Sequence, residues 1–294
     1  MMQYRKKGTL MIGLFMMHFV SHPKRSSYEE TRQREISRNH WGDYDNISKE
    51  EWNITSFDGS LLHGYYLPNH SDKYVIITHG YTDTHHGSVK YANIYHSLGY
   101  NVYLYDIRFH GANEHRKNYC TMGDAESKDL SAVIAAHYHR FGDDIFLGIH
   151  GESLGAASSI LALKNNQQLN FCVADCPFYD LKELLYYQAM QMFHMPKPMV
   201  HLANLWYRIL KRRNFFEISP IKVISQNHVP LLLIHGGDDD FIPTYHSHKL
   251  FEACPDSCNK TLHIMPGANH AESFAVNPTQ YQQWIQDFLS TLYE

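Results

Sequence analysis

The chain has 294 residues, 44% of them apolar, and a formal net charge of −4 at pH 7. This length and composition fit one large domain with a substantial core. One compact basic cluster, Lys211-Arg212-Arg213, lies in the body of the chain at the end of a predicted helix, where cations favour the helix dipole. The charge pattern therefore predicts no nucleic-acid partner, and an anionic head group or membrane surface stays open as an alternative role for this cluster.

The N-terminal segment, residues 1–25, contains a charged start followed by an apolar stretch. Arg5-Lys6-Lys7 precedes the apolar residues 8–20, a pattern typical of a signal sequence. No small-residue cleavage site follows, and the stretch is shorter than the about 20 residues of a full membrane span. Three interpretations stay open: an uncleaved signal-anchor, an interfacial or core helix, and a cleaved signal. We predict membrane association through the signal-anchor, with a cytoplasmic protein as the alternative, and a body that needs nothing from this segment.

The rest of the chain divides into a polar linker or arm, residues 26–50, and a domain over residues 51–294. The domain opens with a predicted hairpin around Asp58-Gly59. Strands near residues 73–78, 101–105, 144–149, 171–175, 230–234 and 261–265 then alternate with helical patterns. This alternation predicts a mostly parallel sheet with helices on both faces. Residues 178–228 contain no strand pattern and are rich in Met and aromatic residues with helical spacing.

A Gly-x-Ser-x-Gly motif at residues 151–155 identifies Ser153 as a candidate nucleophile. The bare motif is weak, because it arises by chance in roughly one chain in ten of this length. Its flanks make it specific, since a buried strand precedes it and a helix of small residues follows it, as in a nucleophile elbow. The alternative is a glycine-bounded turn with a passive serine.

A serine hydroxyl needs a base, and the base needs an acid that orients it. The strand at residues 229–234 ends in a loop with three acids, Asp238, Asp239 and Asp240, and the strand at 261–265 ends in a loop with His270. Both loops leave the carboxyl ends of strands, where open α/β sheets place their sites. The order Ser, Asp, His is the one expected after such an elbow.

The loop His-Gly-x-x-Asp-x-x-Ile-Pro at residues 235–243, with Gly-x-x-His at 267–270 and the elbow, resembles the α/β-hydrolase superfamily. The similarity is to bacterial esterases and lipases of the serine-aminopeptidase-like or monoacylglycerol-lipase-like group, over about residues 52–293. It implies Asp239 as the catalytic acid and His270 as the base. It also implies backbone N–H groups of Tyr81 and Leu154 as the oxyanion hole, and a helical cap at about 178–228.

The family's Asp-x-Arg-Gly-His-Gly segment has a counterpart at residues 106–111, where Phe109 replaces the usual glycine. The resemblance implies structural hydrogen-bonding roles for Asp106, Arg108 and His110.

Histidine and cysteine contents raise the question of a metal. His79, His150 and His235 could in principle converge on zinc, but each belongs to a His-Gly pair that the resemblance assigns to turn geometry. The five cysteines are odd in number and lack framework spacing, which predicts buried or free thiols. We therefore predict neither a metal nor a cofactor.

The sequence predicts a serine hydrolase that cleaves small-molecule carboxylic esters by a Ser-His-Asp acyl-enzyme mechanism. A thioesterase or a peptidase or amidase would use the same groups and stays open, as does a non-catalytic binding or scaffold protein.

Overall fold

The computed structural model of the protein describes residues 2–113 and 119–292. The strands are β1 Glu50–Glu51, β2 Ile54–Thr55, β3 Leu61–Leu62, β4 Gly64–Leu67, β5 Lys73–Thr78, β6 Asn101–Tyr105, β7 Phe146–Glu152, β8 Phe171–Asp175, β9 Leu231–Gly236 and β10 Lys260–Met265. The helices are α1 Met2–Ser21, α2 Tyr28–Ser37, α3 Val89–Ser97, α4 Asp124–Phe141, α5 Leu154–Ala162, α6 Leu181–Phe193, α7 Lys197–Lys211, α8 Pro220–Ile224, α9 Tyr245–Ala253, α10 Ser273–Val276 and α11 Pro278–Ser290.

The central sheet has eight strands in the order β1-β4-β6-β5-β7-β8-β9-β10. All neighbours from β6 to β10 are parallel, whereas β4 pairs antiparallel with both β6 and β1. Parallel strands buried on both faces read as continuous apolar runs, as these do. The predicted fold class, a mostly parallel α/β sheet with helices on both faces, is confirmed.

Helices cover both faces of the sheet. Tyr91 and Tyr95 of α3 and Tyr281 of α11 are buried in the core on one face. Asn277 caps α11 by accepting a hydrogen bond from the Gln280 N–H, with proline at the first helical position, as its sequence indicates. The core on the other face contains side chains of α4, α5 and α9, such as Leu130, Ile160 and Leu250.

The segment between β8 and β9 forms three helices, α6, α7 and α8, and no strand among its residues. A polar link ties α6 to the loop after β9, because the Tyr187 hydroxyl donates to the Asp240 carbonyl and the Gln188 side chain donates to the Phe241 carbonyl. The helical insertion therefore sits next to the loop that carries the three acids.

The N-terminal helix α1 packs against α7. Gly13 makes this approach close, since a Cβ atom there would lie 2.5 Å from Leu202 Cγ. Met16 and Met17 are buried, whereas Phe15 is 55% exposed. These contacts are those of a helix that packs on the domain, which is one of the three interpretations that the sequence left open. No described helix combines the length and the apolar character needed to cross a membrane.

The arm at residues 26–50 is also attached to the body. Its helix α2 begins with a capping box between Ser27 and Glu30. From α2, Arg34 forms an ion pair with Asp83 at 2.7 Å, and the Tyr28 hydroxyl donates to Asp106. These partly buried pairs fix the arm against the loops that follow β5 and β6.

Candidate active site

Ser153 occupies a sharp turn between β7 and α5. Its φ of +55° lies in the left-handed region, which costs a non-glycine residue about 1–3 kcal/mol and is common at functional sites. The Ser153 N–H donates to the Asp175 carbonyl at 2.8 Å, which helps to hold the turn. The motif glycines are required sterically, because a Cβ at Gly151 would lie 2.3 Å from the Gly155 carbonyl oxygen, and one at Gly155 would lie 2.1 Å from that of Thr78.

The structure brings Ser153, His270 and Asp239 into one hydrogen-bonded chain. Ser153 Oγ lies 2.8 Å from His270 Nε2, and His270 Nδ1 lies 2.7 Å from Asp239 Oδ2. The side chain of His270 is 21% exposed and that of Asp239 is fully covered. This arrangement can move a proton from a serine hydroxyl to an imidazole that a carboxylate orients.

Asp239 is the buried member of the three aspartates, and Asp238 and Asp240 are exposed. Asp239 Oδ1, the carboxylate oxygen that does not contact His270, accepts hydrogen bonds from the Phe241 and Ile242 N–H groups at 3.0 and 2.8 Å. Burial alone would raise the pKa of Asp239, but hydrogen bonds from His235 and His270 hold that pKa well below its ordinary value. The carboxylate is therefore charged and fixed in orientation.

Tyr81 and Leu154, the two residues expected to donate oxyanion hydrogen bonds, both line the cavity that contains Ser153 and His270. Leu154 is the first residue of α5, where helical N–H groups lack intrahelical partners. The loop of Tyr81 lies close to the nucleophile, since a Cβ at Gly80 would be 3.4 Å from Ser153 Cβ. The Tyr81 hydroxyl donates to the Val20 carbonyl at 2.9 Å.

The cavity over Ser153 has a volume of about 400 Å³ and a mostly apolar wall. The cap supplies Leu184, Leu185, Gln188 and Met192 from α6, and the acid loop supplies Phe241 and Ile242. None of the residues that line it within the described ranges is Asp or Glu. An uncharged, apolar group is what such a wall accommodates best.

Sequence reasoning missed the contribution of the N-terminus to this cavity. Phe19 and Val20 of α1 line it alongside Ser153 and His270. The Phe19 ring also packs edge-on against Phe193 of α6, at 5.4 Å between centroids. The apolar stretch 8–20 was the available signal, but apolarity does not tell whether a helix contacts lipid or protein.

The counterparts of the family's Asp-x-Arg-Gly-His-Gly segment have structural hydrogen bonds, as expected. Arg108 forms a buried pair with Asp129, His85 Nδ1 lies 3.0 Å from Asp106 Oδ1, and the Thr82 N–H donates to His110 Nε2 at 3.2 Å. At Phe109 the φ of +66° explains why glycine is usual there.

The three histidines of the His-Gly pairs each contact a different partner within the domain. His79 Nε2 accepts a hydrogen bond from the Ile107 N–H, His150 Nδ1 contacts the Tyr95 hydroxyl, and His235 Nδ1 contacts Ser247 Oγ.

All five cysteines are free and buried, as predicted. Among the described residues, the group whose atoms could converge on a metal is Cys176, Asp239 and His270. Two of its members are already joined by the hydrogen bond described above.

The sheet, the elbow and the cap define a serine hydrolase of the α/β-hydrolase superfamily. Comparison with known proteins agrees with this class, and the chain belongs to the prolyl oligopeptidase family, whose sequence model matches residues 86–292. The fold and the family together make the protein a hydrolase of the esterase or peptidase type.

Similar proteins extend the comparison. The uncharacterized protein YqkD of Bacillus subtilis is 29% identical over 291 residues, 97% of this chain and 94% of that protein. Esterase LipQ of Mycobacterium tuberculosis is 28% identical over 167 residues, 52% of this chain and 39% of LipQ. The structure of the Pyrococcus furiosus esterase Pf2001 superposes with a TM-score of 0.69 at 26% identity, covering 85% of this chain and 96% of that one.

Proposed function

We propose that the protein hydrolyses carboxylic esters of small apolar acyl compounds through a covalent acyl-enzyme. The observation that supports this most strongly is the chain Ser153 Oγ, His270 and Asp239, with heavy-atom distances of 2.8 and 2.7 Å, at the base of an apolar cavity. A nucleophile, a base and an orienting acid within hydrogen-bond distance form the geometry that activates a serine.

In the first half-reaction, Ser153 Oγ attacks the ester carbonyl while His270 Nε2 takes its proton. The negative oxygen of the tetrahedral intermediate accepts hydrogen bonds from the Tyr81 and Leu154 N–H groups, each worth roughly 3 kcal/mol of barrier. His270 then gives the proton to the leaving alcohol. Asp239 stabilises the imidazolium and stays ionised, because its pKa is held low.

In the second half-reaction, water attacks the acyl-enzyme. His270 takes a proton from the water and returns it to Ser153 Oγ, which releases the acid. No step needs a metal or a cofactor.

An ester with an apolar acyl group fits the cavity better than a peptide does. A peptide presents backbone N–H and C=O groups, which cost free energy when they are buried without partners. A free N-terminal ammonium would need an acidic partner, and no described lining residue is acidic. The wall instead offers Leu185, Met192 and Phe241, and Met in particular adapts to chains of different shape.

A peptidase or amidase is the second candidate, because the family match is to prolyl oligopeptidases. A thioesterase would use the same groups. All three hydrolases pass through the same acyl-enzyme, so they differ in the leaving group and in what the cavity binds.

A substrate panel distinguishes these candidates. Purified protein is assayed with p-nitrophenyl esters of increasing acyl length, acyl-CoA thioesters and aminoacyl or prolyl amides. We expect the largest kcat/KM with esters and a rise with acyl length until the about 400 Å³ cavity is filled. A larger kcat/KM for an amide than for every ester would overturn the proposal in favour of the peptidase.

Ser158→Ala is a matched control for the panel. It removes a hydroxyl from the same helix, α5, where Ser158 Oγ donates to the Leu154 carbonyl. Its substrate order should match that of the unmodified protein.

A further inference from the structure

Apolar side chains project into solvent from α1 and α7. On α1, Met11 is 71% and Phe15 is 55% exposed, and on α7, Ile209 is 58% and Leu210 is 53% exposed. Isolated exposed apolar residues are ordinary, but a contiguous group on neighbouring helices marks an interaction surface.

The two exposed faces adjoin. Gly13 of α1 lies against Leu202 of α7. Leu205 and Ile209 follow Leu202 by three and seven positions, so they continue the same side of α7 beyond the helix contact. We call the exposed faces of α1 and α7, which include Met11, Phe15, Leu205, Ile209 and Leu210, the α1/α7 surface.

The sequence around α1 and α7 contains basic residues and no acidic ones. Residues 1–28, which include α1, and residues 184–216, which include α7, each contain five Lys or Arg and no Asp or Glu. The remainder of the chain therefore has a net charge of −14. Arg208 and Arg212 are exposed at the C-terminal end of α7, next in sequence to Ile209 and Lys211. The net charge of the whole chain, −4, does not reveal this uneven distribution of charge.

We propose that the α1/α7 surface docks the protein onto an anionic lipid bilayer, with both helices lying in the plane of the head groups. Helices that combine exposed apolar residues with arginine and lysine bind at such interfaces, where the apolar side chains enter the acyl boundary and the cations face anionic head groups. The apolar side chains favour this occupant over a nucleic acid, whose phosphates would engage the cations alone.

The surface also reaches a cleft next to the cavity over Ser153. Phe15, Phe19 and Met192 line a narrow cleft between α1 and α6. This cleft and the cavity share Phe19 and Met192. If the protein hydrolyses esters as proposed above, a lipid acyl chain could pass from the bilayer along this cleft. Docking itself does not depend on that activity.

Vesicle sedimentation tests docking without catalysis. The full-length chain carrying Ser153→Ala is mixed with vesicles of phosphatidylcholine alone, or of phosphatidylcholine with phosphatidylglycerol, at about 0.1 M and about 0.5 M salt. We expect binding to the anionic vesicles that weakens at high salt, because salt screens the attraction. A chain that stays in the supernatant with anionic vesicles at low salt overturns the proposal.

Two double variants assign the binding to the surface. Ile209→Ser with Leu210→Ser removes apolar contact, and Arg208→Gln with Arg212→Gln removes charge. Each should weaken binding about tenfold or more. Because all four side chains are exposed, the fold should persist, which circular dichroism checks.

Matched controls lie elsewhere on the molecule. Val276→Ser changes another exposed apolar side chain, 47% exposed, and Arg32→Gln with Arg38→Gln removes two surface arginines near α2. Both controls should bind like the parent. Equal binding by the surface variants and the controls overturns the proposal. The proposal would also be overturned if the protein bound DNA and not vesicles, and if the arginine variant lost this DNA binding. The basic residues would then be assigned to nucleic-acid binding.

Discussion

The floor and the roof of the cavity are built in different ways. The floor consists of loops at the carboxyl ends of β7, β9 and β10, where Ser153, Asp239 and His270 are joined by hydrogen bonds of 2.7–2.8 Å. The roof consists of α1 and α6, which contribute apolar side chains such as Phe19 and Met192. Hydrogen bonds fix the floor to a narrow geometry, whereas apolar packing allows the roof to vary. We infer that the floor determines the reaction and the roof determines which acyl group is bound.

Loss of the nucleophile should have the largest effect. Ser153→Ala removes the attacking oxygen, and we expect kcat for p-nitrophenyl esters to fall by a factor on the order of 10⁶. Retention of more than about a thousandth of the rate would mean that another serine reacts. Ser158→Ala on the same helix is the control and should keep its activity.

Among the acids, Asp239→Asn should lower kcat by about 10⁴, because an amide favours the wrong imidazole tautomer. Asp238→Asn and Asp240→Asn are built-in controls, since both side chains are exposed next to the buried one. Steady-state kinetics of the three variants checks this ranking. A larger loss at Asp238 or Asp240 would assign the acid to that neighbour.

The pH dependence of kcat/KM tests the protonation states that the floor requires. The lowered pKa of Asp239 keeps this carboxylate ionised from about pH 5 upwards, so its protonation cannot limit the rate there. His270 accepts the serine proton only when its imidazole is neutral, so kcat/KM should fall on acidification although Asp239 stays ionised. A kcat/KM that does not change on acidification would contradict the role of His270.

The roof is tested by separating α1 from α7. Gly13→Leu places a side chain where Leu202 already lies, and overpacking of this kind costs about 1–3 kcal/mol. We expect a lower melting temperature and a changed acyl-length preference, with Ser153 still reactive. Met11→Leu changes a 71% exposed residue of the same helix and should alter neither property. An unchanged acyl preference in Gly13→Leu would mean that the position of α1 does not determine which acyl group is bound.

The smallest effect concerns the link between floor and roof. Tyr81→Phe removes the hydroxyl that donates to the Val20 carbonyl at 2.9 Å and keeps the Tyr81 N–H. A hydrogen bond contributes about 1 kcal/mol, so kcat/KM should fall no more than about fivefold. Tyr138→Phe removes a hydroxyl whose contact with the Gln168 carbonyl is 3.4 Å, and it should leave kcat/KM unchanged. A loss of about 100-fold in Tyr81→Phe would mean that the hydroxyl itself acts in the reaction.

The floor could be predicted from the sequence and the roof only in part. Gly-x-Ser-x-Gly, the acid loop and the His270 loop each follow an apolar run, and parallel strands bring their carboxyl ends to one edge. The spacing of Met and aromatic residues also predicted helices in the insertion between β8 and β9. These patterns could be recognised because each is formed by residues that are neighbours in the chain.

The place of α1 could not be predicted, because its partner α7 lies about 180 residues further along the chain. Gly13 gives no signal of its close approach to Leu202 in a sequence read alone. Likewise, the sequence shows Glu35 as one charged residue in a polar arm, but its side chain is buried and its Oε2 atom lies 3.0 Å from His40 Nδ1. Contacts between distant segments decide which apolar or charged residue is covered.

Labelling with a fluorophosphonate probe tests the central claim most directly, because only an activated serine reacts. The full-length protein is incubated with the probe, digested, and the modified peptide is identified by mass spectrometry. We expect one phosphonylated residue, Ser153, with labelling lost in Ser153→Ala and strongly slowed in His270→Ala. Labelling at another serine, or no labelling of a folded protein, would contradict the assignment of Ser153 as the nucleophile.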